Sequence, residues 1–121
     1  MSLPTKQRIR KPGEFRRVFA RGKRTSNSLT NVAAVANDLS YLRVGLSVSK
    51  RVGKAVTRNL VKRRIRNAFA NMNVIGGWDI VVTAKPNSSE ASYGDLGEAI
   101  QKSVERLGIE LASSTETRVV V

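Results

Sequence analysis

The chain has 121 residues, 22 lysines and arginines and a formal net charge of +13, and its length fits a single domain with a modest core. It contains neither cysteine nor histidine. Their absence excludes disulfides, thiolate nucleophiles and zinc–thiolate sites and removes the commonest general base at neutral pH, so we expect no self-contained catalytic site.

A short helix is predicted after a basic N-terminal arm, residues 1–11. Pro12 near the first turn, Glu14 close behind it and Gly22 at the end are start and stop signals for a helix. Its apolar residues fall on one face: Phe15, Val18 and Phe19.

Two strands are predicted next, and we expect them to be antiparallel. The first is the apolar run of residues 32–36, which a turn signal at Asn37-Asp38 follows. In the second, residues 42–49, apolar side chains alternate with Arg43, Gly45, Ser47 and Ser49, the period of a half-buried strand. The exposed face of this second strand carries mostly small groups. Either a backbone or a base can approach it closely, or it is an ordinary solvated face.

A long basic helix is predicted from about residue 54 to residue 73. Its core face consists of Val61, Ile65, Ala68, Phe69 and Met72. A stripe of like charges at i, i+4, i+8 spacing, flanked by Asn59 and Arg63, consists of Arg58, Lys62 and Arg66. Each like-charge pair costs roughly 0.2–0.5 kcal/mol in an isolated helix, so we expect an external partner to offset the repulsion. The alternative, a solvated face, usually interleaves glutamates, and this face has none.

The positive charge is concentrated in the first two thirds of the chain. Residues 1–78 carry eighteen lysines and arginines against two acids, whereas residues 79–121 carry four against seven. No acid lies between Asp38 and Asp79, so we expect the cations there to need an external polyanion, and a nucleic acid fits best. An anionic membrane surface is the competing partner, but it needs Trp, Phe or Leu along the opposite helix face, and Trp78 lies outside this helix.

A further strand and a last helix are predicted after Gly76-Gly77. Residues 79–84 form an apolar run that can pair parallel to an earlier strand through a βαβ crossover. Ser92 with Asp95 resembles a capping box for a helix that ends at Gly108. Residues 109–121 are expected to form a tail, either disordered or ending in an added edge strand at residues 119–121.

No segment of the sequence predicts export or a membrane span. The N-terminal segment is basic, but no apolar run that could serve as a signal peptide follows it, and the longest early apolar run covers residues 32–36. The expected compartment is therefore the cytoplasm.

Three blocks of the sequence resemble the signature motifs of the bacterial ribonuclease P protein subunit. They read Glu14-Phe15-x-x-Val18-Phe19-x-x-Gly22, Arg43-Val44-Gly45-Leu46-Ser47-Val48-Ser49-Lys50-Arg51 and Ala55-Val56-Thr57-Arg58-Asn59-x-x-Lys62-Arg63-x-x-Arg66. The resemblance extends over residues 8–107, nearly the whole domain. The second and third blocks, at this spacing, are the specific ones.

The resemblance implies an α+β fold, a single-domain α/β sandwich in the order α-β-β-α-β-α, with room for one more strand before the long helix and with a left-handed βαβ crossover. It implies as partners a large catalytic RNA, which uses magnesium ions, and precursor transfer RNA, whose 5′ leader that RNA removes. The protein would then supply no catalytic residue, no metal ligand and no bound cofactor, and would need no membrane. The alternative, which composition alone favours, is a ribosomal or general structural RNA-binding protein.

The resemblance also implies which residues bind each RNA. Residues of the long helix and the cations just before it are assigned to the catalytic RNA: Lys50, Arg51, Lys54, Arg58, Asn59, Lys62, Arg63, Arg64 and Arg66. In this family a cleft between the first helix and the sheet receives the single-stranded leader, which is assigned to Phe15, Arg16, Phe19, Lys62 and Arg66. The two phenylalanines can stack on unpaired bases for about 1–3 kcal/mol each, or they can serve as core.

Two features depart from the family pattern. The third position of the helix motif, an arginine in the family, is Leu60, which we expect to be exposed, with Arg64 one turn later supplying the missing charge. In the strand lining the leader cleft, where many relatives have an aromatic residue, this chain has Ala33 and Ala34. We therefore expect less stacking of the leader on this strand.

Overall fold

The computed structural model describes residues 3–112, which form one α+β domain. Its helices and strands are α1 (Pro12–Arg21), β1 (Lys23–Ser26), β2 (Thr30–Ala36), β3 (Arg43–Ser47), α2 (Ala55–Met72), β4 (Trp78–Ala84) and α3 (Tyr93–Arg106). Short 3-10 turns occur at Thr5–Gln7, Lys50–Val52 and Pro86–Glu90. The predicted fold class and element order are confirmed, with β1 as the additional strand before the long helix.

The four strands form one sheet in the order β1-β2-β4-β3. β3 and β4 pair in parallel across α2, which confirms the predicted βαβ unit. The expectation for β2 and β3 is right in direction only, because β4 pairs antiparallel with β2 and parallel with β3 and so separates them. The segment between β2 and β3 therefore crosses the end of the sheet, where the backbone N–H of Asn37 donates to the carbonyl of Gly77 at 3.0 Å.

The sheet buries both of its faces. Ala33 and Val81 pack against Val18 of α1 on one face. Their neighbours Val32 and Val82 point into a larger core on the other face. The predicted apolar faces of α2 and α3 are buried in that larger core, namely Val61, Ile65, Ala68, Phe69 and Met72 with Leu96, Ile100, Val104 and Leu107. α1 thus lies on one side of the sheet, and α2 and α3 lie on the other.

The helix boundaries follow the local signals in the sequence. α2 begins after Lys54 and is closed by Asn73, whose positive φ of 55° ends the helix in the left-handed conformation. The Oγ of Ser92 accepts a hydrogen bond from the backbone N–H of Asp95 at 3.0 Å, which confirms the predicted cap of α3. Within residues 3–112, every helix is too short or too polar to cross a membrane.

Both ends of the described chain pack onto the domain. Leu3 and Ile9 of the basic arm are buried, Arg8 forms a parallel bridge with Val44, and the N–H of Ile9 donates to the carbonyl of Val44 at 2.8 Å. The arm is therefore docked along β3. Residues 109–112, expected to start a tail, instead pair with the segment that follows α2, where Leu111 bridges to Val74. Residues 119–121, proposed as a frayed end or an edge strand, lie outside the described residues.

Candidate nucleic-acid interface

The cationic stripe of α2 lies at the boundary between the core and solvent. Arg58, Lys62 and Arg66 are half-buried, because their row borders the apolar face of the helix, whereas Asn59 and Arg63 are exposed. The three salt bridges among residues 3–112 all involve Glu14 or Asp79, and α2 takes part in none of them. Its positive charge is therefore available to a partner.

Three further cations stand just before α2. Lys50, Arg51 and Lys54 are exposed, the first two on the 3-10 turn Lys50–Val52. The Oγ of Ser49 accepts a hydrogen bond from the N–H of Arg51 at 3.3 Å and thereby helps to hold the turn. These cations extend the positive surface from the turn onto the helix.

The Nε of Arg58 is a buried donor without a hydrogen-bond acceptor among residues 3–112. A buried N–H that lacks an acceptor costs about 1–3 kcal/mol. Phosphate and base oxygens are acceptors that a guanidinium can bind with two donors at once. An acceptor from outside the chain can reach this buried atom only if the Arg58 side chain moves.

The docked arm brings two arginines towards the stripe of α2. Burial lowers the pKa of the Arg66 guanidinium, and the nearby charges of Arg8 and Arg10 lower it further. Sequence reasoning assigned neither arginine to the interface. The signal that could have found them is the pair of apolar residues, Leu3 and Ile9, that anchor the arm to the domain.

The structure corrects the expectation that Leu60 is exposed, and it shows where Arg64 lies. Leu60 is half-buried rather than exposed. Arg64 lies on the flank of α2 that faces the segment before α3, and its Nη1 donates to the carbonyl of Ala91 at 2.9 Å. Arg64 therefore holds α2 against this segment, and its guanidinium is already engaged within the chain.

Phe15 packs directly against β3. A Cβ atom at Gly45 would lie 2.9 Å from the Cε1 and Cζ atoms of Phe15, so the glycine makes room for the ring. The small-residue face of β3 is thus covered at Gly45 by α1 and the arm, rather than open to a base or solvated. Phe15 itself is half-buried.

Phe19 lines a cleft of about 450 Å³ between the end of α1 and the sheet, together with Arg24, Asn31, Ala33 and Thr83. The guanidinium of Arg24 lies 5.8 Å from the centre of the Phe19 ring, and its Nη2 donates to the Phe19 carbonyl. Arg24, Asn31 and Thr83 were missed by sequence reasoning, because residues of three different strands come together only in the folded sheet.

The other residues that were expected at the cleft lie partly inside it and partly elsewhere. Ala33 lines the cleft as expected, but Ala34 points into the larger core on the opposite face of the sheet, as strand alternation requires. Arg16 is exposed on α1. Lys62 and Arg66, also assigned to the leader, belong to α2 and so lie across the sheet from Phe15 and Phe19.

A network of charged side chains joins α1 to the sheet. Asp79 is only 1% exposed, and its two carboxylate oxygens accept hydrogen bonds from the Nε and Nη2 of Arg43 at 2.9 and 2.7 Å. Arg17 lies 3.4 Å from the same carboxylate, and the Nη1 of Arg43 donates to Glu14 at 2.8 Å. The hydrogen bonds from Arg43 to Asp79 are the main cause of the raised pKa of Arg43.

This network corrects one expectation drawn from the charge distribution. Arg43, which lies between Asp38 and Asp79 in the sequence, is neutralised inside the fold by Asp79 and Glu14 and needs no external polyanion. Such distant pairs are invisible to a count of neighbouring charges. Among residues 3–112, no group of three acidic residues is arranged to hold a metal ion.

Known proteins resemble this chain over most of its length. The family described as Ribonuclease P matches residues 3–108. The ribonuclease P protein component of Clostridioides difficile strain 630 is 37% identical over 106 residues, which cover 85% of this chain and 93% of that protein. Among solved structures, a mutant RNase P protein of Staphylococcus aureus has a TM-score of 0.79 at 27% identity, covering 87% of this chain and 91% of its own. The RNase P protein of Thermotoga maritima has a TM-score of 0.73 at 29% identity, covering 82% and 96%.

Proposed function

Because this chain belongs to the ribonuclease P protein family, we propose that it binds the catalytic RNA of ribonuclease P and the 5′ leader of precursor transfer RNA, and thereby assists removal of the leader. The observation that carries this proposal is the cationic surface of α2, which has no internal counter-charge among residues 3–112.

The catalytic RNA is assigned to the surface of α2 and the turn before it. Lys50, Arg51, Lys54 and Arg63 are exposed and can each neutralise a phosphate, with release of counterions. Arg58 is half-buried at the start of the helix and adds a further cation to this surface. Arg8 and Arg10 extend the same surface beyond Arg66.

The leader is assigned to the cleft under α1. Single-stranded RNA is recognised by aromatic side chains that stack on bases and by cations that follow the backbone. The half-buried ring of Phe19, with Arg24 beside it and Asn31 and Thr83 in the same cleft, offers both kinds of contact. A base stacked there would replace solvent on a ring that the core leaves partly uncovered.

We further propose that the protein and the RNA divide the labour, as in the family that this chain belongs to. The catalytic RNA holds the magnesium ions and carries out hydrolysis, while the protein's cations reduce the repulsion between the two RNAs. The protein's own residues bind and orient, and none of them is assigned as acid, base, nucleophile or metal ligand. We propose the cytoplasm as the compartment in which the two components assemble.

The test is cleavage of precursor transfer RNA by the catalytic RNA at low magnesium, with and without the purified protein. We expect the protein to stimulate cleavage and to cleave nothing by itself. Specific 5′ processing by RNA-free protein that survives repurification would overturn the division of labour. Tight binding to many RNAs without stimulation would instead support a structural RNA-binding protein.

A further inference from the structure

The Asp79 network connects α1 to three strands at one end of the sheet. Asp79 of β4 and Arg43 of β3 are direct partners in the parallel register, so their side chains meet on the same face. The Nδ2 of Asn37 also donates to the Oδ1 of Asp79 at 2.8 Å. Because this carboxylate is buried and fully engaged, it fixes the guanidinium of Arg43 in one orientation.

Arg43 passes this orientation on to α1. Its remaining Nη1 is directed at Glu14, in the first turn of the helix. One turn later, Arg17 reaches both the Asp79 carboxylate and the carbonyl of Ala36 at the end of β2, each at 3.4 Å. The helix is therefore held at two points, Glu14 and Arg17, by groups of β2, β3 and β4.

Phe15 lies between these two points in the chain, and Phe19 follows one turn further along the same face. The ring of Phe15 rests on Gly45, two residues beyond Arg43 on the same face of β3. A rotation of α1 about its own axis would move both rings relative to the sheet. The contacts that Glu14 and Arg17 make with the sheet oppose that rotation.

We propose that Glu14, Arg17, Arg43 and Asp79 are positioning residues for leader recognition: they set the rotation of α1 and thereby the exposed faces of Phe15 and Phe19. This inference rests on the proposed function, since it concerns the cleft to which the leader is assigned. It predicts that α1 can be loosened without altering the surface of α2 that is assigned to the catalytic RNA.

Glu14→Gln is the most informative variant. The Glu14 side chain is 31% exposed, and its replacement leaves the Asp79–Arg43 pair intact, so we expect the variant to fold. Removing a carboxylate makes the protein more cationic and by general electrostatics should tighten its binding to any RNA. A loss of leader recognition would therefore run against the electrostatic effect and would indicate a change in position.

The experiment measures the affinity of the assembled holoenzyme for two substrates, precursor transfer RNA with its full leader and the same RNA with a leader of one nucleotide. For Glu14→Gln we expect the preference for the full leader to fall by roughly two- to fivefold. Affinity of the protein for the catalytic RNA should stay unchanged or rise. Hydrogen exchange should become faster in α1 and stay the same in α2.

Asp38→Asn is the matched control, since Asp38 is exposed and is the other acid among residues 1–78. It changes the charge by the same amount without touching α1. If Glu14→Gln and Asp38→Asn have the same effect on leader preference, the positioning role is wrong. If the wild-type holoenzyme itself does not distinguish the two leaders, the proposed leader site fails, independently of Glu14.

Discussion

Gly45 determines how closely α1 can approach the sheet. Its missing side chain leaves space for the Phe15 ring, which a Cβ atom would meet at 2.9 Å. Because the ring would have to move to admit a methyl group, we expect Gly45→Ala to lower the free energy of unfolding by about 1–3 kcal/mol. Urea unfolding followed by circular dichroism measures this change.

Gly13→Ala is the control for this prediction. A Cβ atom at Gly13 would have its nearest neighbour, the Nη2 of Arg16, at 3.8 Å, which is an ordinary contact. We expect this substitution to be neutral or to stabilise the protein by up to about 1 kcal/mol, because it restricts the unfolded chain. Equal destabilisation by both substitutions would contradict the role assigned to the Phe15 contact.

Glu14 gives the stability of the protein a pH dependence that can be isolated. Burial raises the pKa of Glu14, but the hydrogen bond and charge of Arg43, with smaller contributions from backbone hydrogen bonds at Lys11 and Arg10, together outweigh it, so the pKa is lowered from its usual 4.5. A carboxyl group whose pKa is lowered by folding contributes stability above its unfolded pKa, and this is lost as the pH falls through its folded pKa. Between about pH 6 and pH 3, the wild-type chain should therefore lose more stability than Glu14→Gln.

Thermal melts of the two proteins across this range test the prediction. Parallel losses would show that the Glu14–Arg43 pair contributes nothing measurable. Asp38→Asn again serves as the control, because it removes an exposed carboxyl group that takes part in none of the three salt bridges among residues 3–112. It should follow the wild-type profile.

Arg43, the partner of Glu14, shows which contacts the sequence does not predict. The alternating pattern correctly predicts that Arg43 lies in a strand. Its partners, however, are Asp79, 36 residues later in the chain, and Glu14, 29 residues earlier. A pattern of period two indicates which side chains share a face. It does not indicate which distant side chain will meet them there.

At the scale of helices and strands, local sequence patterns predicted the buried faces and the ends of helices, but not the order of the strands in the sheet. The apolar spacing of α2 identified its core face, and Ser92 identified the start of α3, because both signals depend on residues within a few positions of each other. Strand order was not predictable in the same way. β4 separates β2 from β3 after a helix of 18 residues, and the pattern of β2 and β3 is the same whichever strand lies beside them.

The two flanks of α2 should respond differently to mutation. Arg63 is exposed, so Arg63→Ala should reduce the slope of log affinity against log salt, for binding to the catalytic RNA, by about 0.7–0.9. Arg64 donates to the Ala91 carbonyl, so Arg64→Ala should instead lower the free energy of unfolding by about 1 kcal/mol.

Salt titrations of binding and urea unfolding of both variants separate these effects. The prediction fails if Arg64→Ala flattens the salt slope as much as Arg63→Ala while leaving stability unchanged. That result would place the RNA on the flank of α2 that holds Arg64. Lys102→Ala, at an exposed position on α3, is a control for loss of a cation elsewhere.

At the scale of the whole molecule, the uneven distribution of charge sets the response to ions. Residues 1–78 contain eighteen cations and only two acids, so the cations repel one another in the folded domain. Anions that bind only to the native state stabilise it by mass action. We expect sulfate and phosphate to raise the melting temperature more than chloride at equal ionic strength. Thermal melts in the three salts measure this difference.

Arg58 and Arg66, two cations of the stripe on α2, provide a check on where such anions bind. If bound sulfate relieves repulsion at the basic surface, the double variant Arg58→Gln/Arg66→Gln should gain less from sulfate than the wild type does. Equal melting temperatures of the wild type in all three salts would show that plain screening is sufficient.

The docked arm also bears on how the protein behaves at high concentration. β3 is an outer strand of the sheet, and an outer strand with free backbone groups is a template on which another copy can add a strand and begin to aggregate. Arg8 and Ile9 already occupy this position at Val44. The short N-terminal segment thus covers the β3 edge of its own sheet at Val44, and the charge of Arg8 adds a barrier against a second, equally cationic copy.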